Sequence, residues 1–181
     1  MSSEFVSNLV KKAKNGSADA FGELYGMYAE DLFRFAYWSV GSVSAAEDCV
    51  SEAVCLAFQN IAKLKKNEAF KSWMFKILHN CCKNAQKIKY LHKDEIELSQ
   101  VQSVLADEQD QSENISLMNA LEKLSAEERD IMILYYSEGY NSKEIGEILS
   151  LNDSTVRSKI KRATSKLREM LCEDGDRIEQ K

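Results

Sequence analysis

Between Asn152 and Arg168 the chain reads NDSTVRSKIKRATSKLR, a stretch whose side chains could grip nucleic acid. From Ser154 onward it carries Arg157, Lys159, Lys161, Arg162, Lys166 and Arg168, with no acid before Glu169. Guanidinium and ammonium groups donate to phosphate oxygens, and hydroxyls such as those of Ser154, Thr155 and Ser158 reach base edges. A merely solvated helix mixes signs for i,i+4 pairing, and this one does not. A second stretch, KLKKNEAFKSWMFKILHNCCKNAQKIKYLHK, runs from Lys63 to Lys93 with nine lysines and a single acid, Glu68. Phe70, Trp73, Phe75 and Tyr90 are interleaved. Lysines there would hold a strand by its phosphates while flat rings stack its bases. The plainer account makes Trp73, Ile77 and Leu78 core and leaves the lysines to solvent. Both accounts are expected to hold in part, with Trp73 half-buried.

Catalytic chemistry finds little support. His79 and His92 are the only histidines, and no Ser/His/Asp set, phosphate loop or paired-acid motif is present. His79 beside Cys81 and Cys82 lacks the usual zinc spacing. The five cysteines, odd in number, read as buried reduced thiols of a cytosolic protein. No enzyme activity, metal or cofactor is expected.

The elements that must position the two basic stretches are helical. The chain has no proline, seven glycines and 44% hydrophobic residues, which favours an all-α fold. Val156, Ile160, Ala163 and Leu167 repeat at helical steps and give the basic stretch one buried face. Just upstream, Asn141 and Glu144 form a capping box opening a short helix that buries Ile145, Ile148 and Leu149. A turn, Ser150-Leu151-Asn152, joins it to the basic helix. Short helix, turn and longer basic helix make a helix-turn-helix, whose second helix enters the major groove. Another box, Ser125 with Glu128, starts the preceding helix through Ile131, Leu134 and Tyr135 to Gly139. Before that comes a helix with Ile115, Leu117, Met118, Leu121 and Leu124 on its apolar face.

In the first half, helices are expected over 4–14, 17–40 and 44–64. The last opens on a Ser44–Glu47 capping box and buries Ala46, Val50, Ala53, Val54 and Phe58. The net charge of −5 is unevenly spread: residues 1–90 are mildly basic, 91–128 strongly acidic, 129–172 mildly basic and 173–181 acidic. The stretch DEIELSQVQSVLADEQDQSE has no aromatic and no sustained period, and reads as an acidic flexible linker. The expected organisation is therefore a helical domain over 1–93, a linker over 94–112, a helix-turn-helix domain over 113–172 and an acidic tail. No apolar run approaches the roughly 20 residues of a membrane span, and the N-terminus lacks a signal-peptide core.

Taken together, two separated segments resemble the bacterial RNA polymerase sigma factors of the extracytoplasmic-function (ECF) type. AFGELYGMYAEDLFRFAY, AAEDCVSEAVCLAF and FKSWMFKILHNCCKN are similar to that family's N-terminal domain. LEKLSAEERDIMILYYSEGYNSKEIGEILSLNDSTVRSKIKRATSKLREML is similar to its C-terminal promoter-binding domain. The resemblance implies a transcription initiation factor that binds core RNA polymerase and directs it to promoter DNA. Glu47 and Asp48, with Val50 and Glu52, match the helix that docks on polymerase; acids at a helix start also suit the helix dipole. Trp73 and Asn80 match a tryptophan–asparagine pattern, and Lys87 a basic position after it. With Lys66, Asn67, Phe70 and Lys83 they would hold the melted strand of the downstream (−10) promoter element. Glu144-Ile145 and Thr155-Val156 match the helix-turn-helix, and Ser154, Thr155, Arg157, Ser158, Lys161 and Arg162 would read the upstream (−35) element.

The chain departs from the family's usual pattern at Ser51, Leu56, Asn84, Ser125, Ser150 and Asn152-Asp153-Ser154. An aspartate at the start of the reading helix would cap it and also repel a nearby phosphate. The resemblance further implies an anti-sigma partner, often membrane-tethered in that family, with no membrane insertion by this chain and a cytoplasmic location. The competing account is a conventional helix-turn-helix regulator with an N-terminal sensing or dimerisation domain. Such a regulator has no need of the lysine–aromatic stretch.

Overall fold

The computed structural model describes residues 3–91 and 119–178, and every regular element among them is helical. The first half comprises α1 (Ser3–Lys14), α2 (Ala18–Gly26), α3 (Ala29–Val40), α4 (Val43–Asn60) and α5 (Phe70–Leu91), with 3₁₀ turns at Ile61–Lys63 and Asn67–Ala69 before α5. The second half has helical residues 119–122, then α6 (Ala126–Met132), a π turn over Ile133–Ser137, α7 (Ser142–Leu149) and α8 (Asp153–Ile178). The expected linker and the helix face at Ile115, Leu117 and Met118 lie outside the described residues. Helix α8 continues to Ile178, into the stretch expected to be a tail.

Local chemistry sets most of the helix ends. The Ser17 hydroxyl accepts from the Ala20 N–H and starts α2. Gly41 closes α3 at φ 73°, a left-handed turn that a Cβ would strain. That turn leaves Ser42 extended, and its hydroxyl, in place of the expected Ser44–Glu47 box, caps α4 at the Ala45 N–H. Ser44 therefore falls within the first turn, and Glu47 is left exposed and uninvolved in capping. The helix expected over 17–40 is two, broken at Met27-Tyr28, and α4 ends at Asn60 where Ile61 to Lys63 tighten into 3₁₀. Phe58 is 43% exposed instead of buried, although its ring meets Phe21 edge-on at 5.2 Å.

The Ser125–Glu128 and Asn141–Glu144 capping boxes both form, each side chain bonding back to the other's backbone N–H. Between them the wide π turn, closed by Glu138 N–H to Ile133 C=O, inserts a residue into the helical repeat. It turns Tyr135 and Tyr136 outward, to 39% and 63% exposure, where a regular helix would have kept Tyr135 inward. Gly139 at φ 70° then ends the segment.

The two halves share one interior. Phe35, Phe70, Phe75, Leu24 and Leu78 of the first half are fully buried in the same cluster as Ile131, Leu134, Ile145 and Ile148 of the second. Phe75 meets Phe35 edge-on at 5.5 Å and Tyr140 at 5.7 Å, so α5 is the wall on which both halves lean.

Candidate nucleic-acid interface

The helix-turn-helix is held by one close approach. Ser150 adopts the left-handed conformation (φ 59°), and the Leu151 N–H donates to the Gly146 carbonyl at 2.9 Å. A Cβ on Gly146 would sit 2.6 Å from the Leu151 carbonyl oxygen, so α7 can carry only glycine there. The Ser142 hydroxyl donates to the Asp153 carboxylate and ties the start of α7 to the start of α8. Val156 and Ala163 are fully buried, and Ile160 and Leu167 half-buried, which seats α8 on its expected stripe.

Seating α8 sorts its cations. Lys159 turns inward to Glu127 (2.9 Å) and Lys166 to Glu128 (3.0 Å), both acids at the N-terminal turn of α6. Burial pushes the Glu128 carboxyl up, but Lys166 and Ser125 hold it below its ordinary value. Arg157, Ser158, Lys161 and Arg162 stay exposed on the outer face with Ser154, and Thr155 lies half-buried at its edge. Arg157 also pairs with Asp153 at 2.9 Å, an exposed contact that water and salt weaken and that a phosphate or base edge can displace.

On the first half, Lys66 is exposed on the loop before α5, and Asn80, Lys83 and Lys87 are exposed along α5 itself. Trp73 is half-buried, its ring 6.2 Å from that of Phe70. Three assignments need correction. Phe70 has no exposed surface: it packs edge-on against Phe21 and beside Tyr28, so it supports the loop and offers no face to a base. Asn67 is committed internally, accepting from Lys14 Nζ at 2.6 Å and donating to Ser7, which pins the loop to α1. Of the residues assigned to polymerase, Glu47, Asp48 and Glu52 are exposed, whereas Val50 is buried in the core and helps position them. Asp48 and Glu52 line a groove of about 530 Å³ together with Asn84 and Lys87, which brings acids of α4 next to a lysine of α5.

The structure adds a polar seam between the halves that no sequence motif announced. Arg34 reaches Asp31 (2.8 Å) and Glu138 (3.0 Å); Lys71 reaches Asp31 (2.9 Å) and Glu138 (3.2 Å). The Glu138 side chain is 1% exposed, sealed between the two cations. Although burial pushes the Lys71 ammonium down, Asp31 and Glu138 keep it above its ordinary value. Lys71 also lies 5.6 to 5.8 Å from the centroids of Phe75, Tyr28 and Tyr140.

Further along the seam, Asp130 accepts from the Ser39 hydroxyl (2.7 Å) and faces His79 Nε2 at 3.4 Å. Gln86 and Arg129 donate to the Ser39 carbonyl. Burial drives both titratable groups toward neutrality, the imidazole down to about 4 and the carboxyl up to about 6. The Tyr140 hydroxyl, also buried here, has no hydrogen-bond partner among the described residues.

Similarity to known proteins agrees with this geometry. The family model described as Sigma-70 region 2 matches residues 24–87, and that described as Sigma-70, region 4 matches 120–169. The chain belongs to the sigma-70 family. Its relatives include the ECF RNA polymerase sigma factor SigW of Bacillus subtilis, 28% identical over 92% of this chain and 96% of that protein. Another is the ECF RNA polymerase sigma factor BldN of Streptomyces coelicolor, 27% identical over 94% of this chain and 67% of that one. In fold, the chain is similar to CnrH in its complex with the cytosolic domain of CnrY, with a TM-score of 0.75 and 20% identity over 94% of this chain and 99% of that chain. It is also similar to the sigma factor RpoE of Bartonella quintana, solved with the anti-sigma factor NepR, with a TM-score of 0.66 and 24% identity over 83% and 96%.

The region 2 match contains α4 and most of α5; the region 4 match contains the helix-turn-helix. Among the described residues no helix is long and apolar enough to cross a membrane.

Proposed function

We propose that this ECF sigma factor starts transcription with three separate surfaces, placed in a first domain of residues 1–93 and a second of 113–172. Glu47, Asp48 and Glu52 on α4 dock on core RNA polymerase. Trp73, Asn80, Lys83 and Lys87, with Lys66 on the preceding loop, hold the opened strand of the downstream promoter element. Ser154, Thr155, Arg157, Ser158, Lys161 and Arg162 on α8 read the upstream element in the major groove. The observation that carries this reading is the sorting of α8. Its inward lysines are paired within their own half, and its outward cations stand on a helix braced by a preceding short helix and turn.

The protein acts without catalysing a reaction of its own, in the cytoplasm where polymerase works. The complex of RpoE with the anti-sigma factor NepR supports an anti-sigma protein as a further partner. A conventional regulator would not need an α5 that combines lysines with a half-exposed tryptophan.

Transcription in vitro with core polymerase tests the reading. The wild-type chain is expected to stimulate initiation at a subset of promoters. The Arg157→Ala and Lys161→Ala variants should each lose about 1–3 kcal/mol of upstream-element discrimination. Unchanged promoter choice in both variants would remove α8's outer face from its role.

A further inference from the structure

Helices α4 and α5 bring three of the chain's five cysteines together: Cys49 from α4, and Cys81 and Cys82 from α5. Cys49 and Cys81 are each 3% exposed and line the groove that Asp48, Glu52, Asn84 and Lys87 also border. Cys82 has no exposed surface. The groove therefore admits solvent to two thiols, and their surroundings make them unequal. Hydrogen bonding from the Cys82 thiol holds the Cys49 thiol below its ordinary value, against burial and the charges of Glu52 and Asp48. Burial and the Glu52 carboxylate push Cys81 up to about 11. Cys82 is pushed far up by its hydrogen bond to Cys49 and by burial. The thiolate is the nucleophile, so Cys49 is the reactive thiol of the three, with Cys82 against it. These groups do not form a metal-ligand set: among the described residues no three His, Cys, Asp or Glu side chains gather to hold an ion.

We propose that the α4–α5 groove is a peroxide-sensitive modification site, in which Cys49 is oxidised first and Cys82 closes a disulfide with it, and that the closed bond weakens docking of α4 on core polymerase. The consequence for docking rests on the reading of α4 as the polymerase-binding helix; the thiol chemistry does not. The Cys49 thiolate attacks one oxygen of hydrogen peroxide. The O–O bond breaks, hydroxide leaves and takes up a proton as water, and the sulfur becomes a sulfenic acid. The Cys82 sulfur then attacks that sulfur. An S–S bond forms, the S–O bond breaks, and the hydroxyl departs with the Cys82 proton as a second water. Two thiols and one peroxide thus give one disulfide and two waters, and cellular thiols reopen the bond by exchange. A disulfide holds its Cβ atoms about 3.8 Å apart. Closing it draws α4 toward α5 at Cys49, which lies between Asp48 and Glu52 in the chain.

The test uses the full wild-type chain, reduced and then treated with a small excess of hydrogen peroxide. Peptide mapping without reduction should find Cys49 joined to the peptide that carries Cys81 and Cys82. Fragmentation of the joined peptide should assign the bond to Cys82, with no variant needed. Cys82→Ser, whose hydroxyl can still donate to Cys49, should stop at a Cys49 sulfenic acid that dimedone captures. An unmodified Cys49 in the treated wild type, or a bond assigned to Cys81, overturns the proposal.

Capture on immobilised core polymerase, after the peroxide is removed, reads the consequence. The oxidised chain should bind about tenfold more weakly than the reduced chain, and dithiothreitol should restore it. Equal binding of the two forms overturns the proposal. Failure of the reduced chain itself to bind would instead refute the docking reading, and the peptide map decides the thiol chemistry independently.

Discussion

Helices α5 and α8 are both basic, yet their cations are used differently. In α8 the inward lysines pair with Glu127 and Glu128 of the same half, and the outward residues are open to solvent. In α5 the flanking lysines pair across the molecule, with acids and carbonyls of the other half. The recognition helix is therefore completed by its own domain, whereas α5 depends on the arrangement of the two halves. The outward cations of α8 are left open by packing within its own half, whereas two lysines of α5 find their partners only in the other half.

The strongest way to break that contrast is to titrate the seam. Asp130 is held at about 6 against an ordinary 3.8, so the folded chain takes up its proton first, and this group adds stability as pH falls from about 6 to 4. His79 is held at about 4 against 6.5, so the unfolded chain takes up that proton first, and stability falls as pH drops from 6.5 to 4. Lys76, Lys83, Glu127 and Arg129 also act on this pair and leave the two signs unchanged. The opposed contributions, each about 3 kcal/mol at most, nearly cancel in the wild type. Denaturant midpoints measured across this window should rise toward acid in His79→Gln and fall in Asp130→Asn. Slopes of the same sign in both variants would mean that the pair is not buried together.

A smaller effect separates the helices from the other side. Gly146→Ala places a Cβ against the Leu151 carbonyl and should cost the second half about 2 kcal/mol. Duplex binding at the upstream element should weaken while single-strand binding by α5 persists, which electrophoretic mobility shifts on the two probes would reveal. Parallel loss of both would show that α5 needs an intact second half.

The smallest effect is a gain. Ser150 sits in the left-handed region at φ 59°, and Ser150→Gly should stabilise the turn by about 1 kcal/mol without altering promoter choice. A lower thermal midpoint in this variant would show that the serine side chain contributes more than the backbone strain removes.

Much of this was legible in the residues. The α8 stripe, the two capping boxes of the second half and the turn at Ser150 follow from short-range spacing, because a helix's caps and buried face are set within a few residues. Errors arose where register or direction depended on something further away. Gly41 moved the α4 cap from Ser44 to Ser42, and a π turn rotated Tyr135 out of the core. Phe70 and Val50 lie in segments that resemble a binding surface, yet the packing of Phe21 and the core beside α4 turns them inward.

By itself, then, the sequence determined that this is an all-helical protein with two basic helices in the order of a sigma factor, because periodicity and charge are local properties. Only the tertiary structure decided which cations face outward and which are claimed. Glu138 lies far from Lys71 in the chain, as Asp130 does from His79, and no spacing rule pairs them. They meet because the apolar interior of the two halves is continuous, and its burial draws together charges that the sequence keeps apart.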